Sequence, residues 1–163
     1  MRILGTDPVR LLPYRDSGMD GTPQNDDPRS LVSADREAVL ADVVYQIRDL
    51  QPHAIVTFGP DGVYGHPDHI RIGDITTEAA VVAGSEAMPF LGEPWQAKRL
   101  FHVAVAREDL IAAKKRGAPF FSTLSDEFIA TLGVPAAEVT HVFDVRPYKE
   151  LKAEAIAAHA TQT

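Results

Sequence analysis

Val39, Leu40, Val43, Val44, Ile47 and Leu50 recur at three- and four-residue spacing, which predicts an amphipathic helix. Ser33 stands where an N-cap belongs, and Asp35 and Glu37 fall in the first turn, where the helix dipole favours negative charge. Pro52 closes this helix. The next run, "AIVTF" at 54–58, is apolar without alternation, as in a strand buried on both faces of a parallel sheet. "RLFHVAVA" at 99–106 and "VTHVFDV" at 139–145 predict two more strands. Pro67 suits the first turn of a second helix, which the pattern carries to about Val82, before Gly84. Further helices are predicted over 107–116, 125–132 and 149–160.

The remainder reads as loop. "PVRLLPY" at 8–14 predicts a short peripheral strand broken by Pro13. Residues 15–34 are rich in Gly, Pro, Asp and Asn, and "GPDGVYG" at 59–65 carries three glycines. Strand–helix alternation predicts a single α/β domain over 1–163 with a mainly parallel, Rossmann-like sheet and flanking helices. Such domains usually open on a buried strand and its helix. This chain opens on a Pro-broken segment and a loop, so the N-terminal strand–helix unit is expected to be missing.

Composition narrows the function classes. A net charge of -7 with no basic run weighs against nucleic acid and an anionic membrane surface. With no cysteine, disulfides and thiolate metal sites are excluded, so a metal would have to sit on His, Asp or Glu. No apolar stretch is long enough to span a bilayer, and the first residues lack the build of a signal peptide; a cytoplasmic protein is expected. No G-x-G-x-x-G, Walker lysine loop or G-x-S-x-G elbow is present.

"YGHPDHI" at 64–70 remains. His66 and His69 sit where the strand 54–58 gives way to a helix, the carboxyl end at which open α/β sheets bind ligands. Their i, i+3 spacing allows both rings on one side of the first turn. Asp68 is placed to accept from an imidazole, and Gly65 to leave room beside His66. An H-x-x-H pair alone supplies at most two of a catalytic zinc's three protein ligands, and polar residues at a helix start also occur for structural reasons. His53 reads as a surface residue, His102 and His141 as structural strand residues, and His159 as a cation near a helix C-terminus.

Taken together, "YRDSGM" at 14–19, "NDDPRSL" at 25–31, "GPDGVYGHPDH" at 59–69 and "AHATQ" at 158–162 resemble the LmbE/PIG-L family of zinc-dependent de-N-acetylases. The R-D-S-G-M loop looks most like the branch containing the mycothiol-pathway deacetylases and conjugate amidases. The resemblance implies a Zn2+ cofactor and a small-molecule amino-sugar conjugate as substrate. It implies that His69 is a zinc ligand, that His66 serves the tetrahedral intermediate as oxyanion donor or general acid, and that Asp68 supports that histidine. It places Arg15, with Asp16 beside it, at the sugar-binding loop.

The chain departs from the family in one respect. The family's A-H-P-D-D-E segment, which supplies two zinc ligands and the general base, has no counterpart in this sequence; the sole H-P-D is 66–68. The resemblance therefore implies the C-terminal part of a member, as a gene fragment, a mis-called start at Met1 or a degenerate paralogue. One alternative is a non-catalytic remnant that binds a sugar or a partner through the 15–31 loop. Another is a plain α/β domain with structural histidines. Alone, the chain is expected to hold zinc poorly and, with an open sheet edge, to self-associate.

Overall fold

The computed structural model describes residues 3–6, 9–118 and 121–158. It divides into two compact units, residues 13–139 and a second made of 1–12 with 140–163.

The larger unit is built on the predicted strand–helix order. Helix α1 spans Arg36–Leu50 and buries Val39, Leu40, Val43, Val44 and Ile47. Its cap is Asp35, whose side chain accepts from the Ala38 N–H, so the start lies two residues beyond the Ser33 expectation. The Ser33 hydroxyl donates instead to the Asn25 carbonyl. Strand β1 (Ala54–Phe58) follows, then a helical turn α2 (Gly62–Gly65) and helix α3 (Pro67–Ala83). Strand β2 (Arg99–Val103) lies parallel to β1, with Ala54 opposite Arg99 and Phe58 opposite Val103. The result is a small parallel sheet with flanking helices, the α/β architecture predicted. Beyond β2 come α4 (Arg107–Lys115) and α5 (Asp126–Thr131), which close a separate apolar cluster of Leu110, Ile129 and Leu132.

Helix α3 packs close to β1 through Gly73, where an added Cβ would lie 2.5 Å from the Phe58 carbonyl oxygen. Both partners there are backbone, so neither can swing away. Gly73→Ala is expected to cost about 1–3 kcal/mol of stability, the usual range for overpacking, and to disturb the ring stacked on Phe58 described below. Chemical denaturation of the variant checks the first effect.

Where α3 ends, the buried Arg48 of α1 takes over. Its guanidinium donates to the carbonyls of Val82, Ala83, Ser85, Ala87, Met88 and Gly92, at 2.7–3.3 Å. This one cation satisfies the helix's last acceptors and orders the loop leading towards β2. Trp95 continues the tie, its backbone N–H on the Ala83 carbonyl and its indole N–H on the Pro52 carbonyl.

Tyr14 donates its hydroxyl to Asp42 of α1 at 2.6 Å. Burial first, then the Asp42 carboxylate, push the phenol from 10.0 up to about 12. The folded-state value is raised, so the stabilisation is complete below the unfolded value and is lost as pH climbs from 10.0 to about 12. A phenolate absorbance titration should show one of the four tyrosines lagging, and Asp42→Asn should bring it part of the way back, since burial, the larger cause, remains. Coincident titration of all four would contradict the bond.

Two strand predictions fail. Among the described residues, 139–145 contains no strand; Val142, Phe143 and Val145 are exposed in irregular backbone that precedes a 3-10 turn (Arg146–Tyr148) and α6 (Lys149–Ala157). Their β-rich composition does not make a strand, because a strand exists only where a neighbour completes its ladder. Of 8–14, residue 8 lies outside the described residues, and 9–14 forms no strand. The pairing falls one residue later, as an isolated parallel bridge between Arg15 and Ser30. The third expected strand, 99–106, ends at Val103.

Candidate active site

The loop from β1 to α3 is tightly wound. Asp61 accepts from the Val63 N–H, and Gly65 N–H donates to the Asp61 carbonyl. Val63 is held at φ 70°, a region that costs a β-branched residue about 1–3 kcal/mol. Gly62 has φ 58°, and a Cβ there would meet Ile70 Cγ1 at 2.8 Å and His69 Cβ at 3.2 Å. Gly65 is needed for a different reason than the sequence suggested. A Cβ on it would touch nothing within 4 Å, but its φ of 79° disfavours any side chain.

This winding sets the two histidines 4.9 Å apart, ring centre to ring centre, and tilted by 31°. They share one side of the first turn of α3, as the spacing predicted. His69 stacks on Phe58, the last residue of β1, at 3.8 Å and 3°. Tyr64 stands edge-on to both rings, 5.9 Å from His66 and 5.1 Å from His69.

Their hydrogen bonds differ in kind. His69 Nδ1 lies 3.1 Å from the Gly62 carbonyl oxygen. A carbonyl only accepts, so Nδ1 carries the proton and the lone pair of the neutral ring sits on Nε2. His66 is the N-cap of α3, and its Nδ1 accepts the Asp68 backbone N–H at 3.2 Å. That places the neutral ring's proton on Nε2. In the first turn of α3, one imidazole thus presents a lone pair and the other an N–H on the same nitrogen, Nε2.

The Asp68 carboxylate does not do what the sequence suggested. Both its oxygens accept from Ser17: Oδ2 from the backbone N–H at 3.0 Å and Oδ1 from the hydroxyl at 2.5 Å. Asp68 supports His66 through its amide instead. Ser17 is fully buried and also receives the Val32 N–H on its hydroxyl oxygen. The loop 15–31 is thereby fastened to α3. Its neighbour Asp16 is exposed and accepts from the Gly18 N–H. Asp16, His66 and Asp68 each offer a donor atom within 4.8 Å of the others, a grouping able to hold a metal ion. Arg15 is exposed, its guanidinium 3.5 Å from Asp27. Asp27 is held well below the usual carboxylate range mainly by hydrogen bonds from Arg29, with Arg15 a minor contributor.

The remaining histidines are elsewhere. His53 meets the edge of Trp95 at 6.4 Å, His102 Nε2 pairs with Thr77 Oγ1 at 2.9 Å, and His141 pairs with the Thr140 hydroxyl outside any strand. His159 lies outside the described residues.

Residues 1–80, which contain every residue of this site, match the family model described as PIG-L, GlcNAc-PI de-N-acetylase. The chain is a member of the PIG-L/LmbE family. Among its curated relatives are proteins named 1D-myo-inositol 2-acetamido-2-deoxy-alpha-D-glucopyranoside deacetylase. That of Rhodococcus jostii is 43% identical over 154 residues, covering 91% of this chain and 51% of the relative. That of Rhodococcus opacus is 42% identical, and the deacetylase 2 of Frankia alni 38%, with the same share of this chain and 51% and 54% of their own lengths. The chain thus spans about half the length of the curated relatives it matches. Among the described residues, no helix is long and apolar enough to cross a membrane.

Proposed function

We propose that this site is the oxyanion side and one metal ligand of a zinc-dependent de-N-acetylase acting on an acetamido-sugar conjugate of inositol. The reading rests on the opposed tautomers of His66 and His69. A neutral imidazole has one lone pair. That of His69 is left on Nε2, because its Nδ1–H is spent on the Gly62 carbonyl, the second-shell arrangement typical of a ligating histidine. That of His66 is already used by the Asp68 N–H, so His66 offers Nε2–H as a donor. This argues against reading Asp16, His66 and Asp68 as a metal cage, although their spacing permits one.

His69 fits one position of a zinc site; the described residues bring no second and third ligand together with it. Zinc, when bound, would polarise the substrate and supply an activated water. His66 would donate a hydrogen bond from Nε2 to the oxygen that gains charge as the amide carbon becomes tetrahedral. Phe58 would hold the His69 ring by stacking, with Tyr64 edge-on to both imidazoles. Arg15 and Asp16, on the loop that Ser17 fastens to α3, would hold the sugar hydroxyls. The expected partner is therefore a small amino-sugar conjugate.

Two measurements test this. The 163-residue protein should bind zinc weakly, His69→Ala should abolish that binding, and His66→Ala should keep it; undiminished zinc in the His69 variant refutes the ligand assignment. In the second, this chain replaces the matching half of the Rhodococcus jostii relative. The chimera should release acetate from the acetamido-glucosyl-inositol named for that relative. A chimera that folds, holds zinc and releases none would overturn the reaction.

A further inference from the structure

Ser17 is buried to 0% exposure, and its two donors meet the two oxygens of one carboxylate on a helix 51 residues away. We propose that Ser17 is a positioning residue for His66: by holding Asp68 from both its N–H and its hydroxyl, it fixes the loop bearing Asp16 against the first turn of α3. The inference rests on His66 being the donor of the proposed reaction.

Three observations carry it. The clamp is bidentate, so it fixes orientation as well as distance, and its acceptor is charged, which shortens and strengthens both bonds. It is braced on the loop side, because Val32 N–H donates to the same hydroxyl oxygen and the Asn25 amide donates to the Ser17 carbonyl at 2.5 Å. It acts on the residues flanking the imidazole. Asp68 gives His66 its N–H, and Asp16, the residue before Ser17, comes within 4.8 Å of that ring's donor atom. With the clamp closed, the Asp68 oxygens are occupied and the ring keeps its Nδ1 for the amide. With the hydroxyl gone, Oδ1 is freed while the Ser17 N–H keeps Oδ2, and the freed oxygen turns to the imidazole and draws the ring from its cap.

The test reads the imidazole directly, by ring nitrogen and carbon resonances of the histidines in the 163-residue protein, with neither zinc nor substrate. Ser17→Ala should shift the His66 signals away from the Nε2–H pattern and leave those of His69 and His102 in place. Ser17→Cys keeps the volume but weakens the donor; it should give a smaller shift in the same direction and remains readable where the alanine variant fails to fold. Ser17→Thr, which keeps the hydroxyl, should bring the signals back. Asn25→Ala removes the brace on the Ser17 carbonyl without touching Asp68 and should shift them less than Ser17→Ala does. His66 signals unchanged in both the alanine and cysteine variants, or equally shifted by Asn25→Ala, would overturn the proposal. Because the measurement needs no turnover, it fails separately from the acetate assay on the chimera.

Discussion

Arg48→Ala is expected to lower the unfolding free energy by about 3–5 kcal/mol, the range seen when a buried charged network loses its central partner. Arg48 is only 4% exposed and donates to six carbonyls between Val82 and Gly92. Removing it takes a donor from each of them; Ala83 is buried, and a buried acceptor left short of a partner costs about 1–3 kcal/mol, while Ser85, Ala87 and Gly92 are exposed and can turn to water. The loop can relax, which keeps the total below the sum. Even so, the loss is a large fraction of the roughly 5–15 kcal/mol that holds a domain together. Arg48→Lys should recover less than half, because an ammonium has three donors in place of the planar fork of five. The contrast is Arg36→Ala. That guanidinium pairs with Asp74 and Glu78 at 2.7 and 2.6 Å, but its side chain is 37% exposed, and solvent screens such a pair so that it contributes little. Urea unfolding of the three variants at unchanged slope decides it. An Arg48→Ala midpoint no lower than that of Arg36→Ala would show that water replaces the guanidinium at no cost.

Arg48 also shows where sequence pattern stops. It lies four residues after Val44, on the buried face of α1, yet a charged residue is not part of the apolar pattern that predicted the helix. What it binds was not legible either. The six carbonyls belong to the end of α3 and the loop after it, 34 to 44 residues downstream, whose path no local rule fixes. The same limit separates the strand at 54–58, correctly placed, from that at 139–145, which is absent. Both segments are β-rich, but only the first finds a parallel neighbour, in Arg99–Val103. Helix ends fared better, because Pro67, Gly84 and the acidic first turn of α1 act locally; the cap moved only from Ser33 to Asp35.

The site divides in the same way. The pairing of His66 with His69 was legible from i, i+3 spacing, and the resemblance to a family added their roles. The partner of Asp68 was not legible. In sequence the nearest donor to its carboxylate is an imidazole; in the fold it is Ser17, brought in by the 15–31 loop. The only signal was the small, polar Ser17 inside "RDSGM", and nothing in one sequence distinguishes it from an ordinary loop serine.

His66→Asn, made in the chimera with the Rhodococcus jostii relative, is expected to lower turnover by about 10²–10³, the loss seen when one oxyanion donor is removed. The choice of asparagine separates two jobs that alanine would merge. His66 caps α3 through Nδ1 and, in the proposed reaction, donates through Nε2. Alanine removes both, and losing a cap alone costs about 0.5–2 kcal/mol of stability. Asparagine is among the best capping residues, and its shorter side chain can still accept the Asp68 N–H. It cannot reach the position of Nε2, which lies on the far side of the ring. The asparagine variant should therefore unfold within a few tenths of a kcal/mol of the parent, keep its zinc through His69, and still lose turnover. The alanine variant should lose both stability and turnover. If His66→Asn stays within tenfold of the parent while His66→Ala falls with its stability, His66 is a helix cap and the donor in the reaction lies elsewhere. If both variants lose turnover at retained zinc, the cap and the donor are two functions of one ring, held in register by the Asp68 amide.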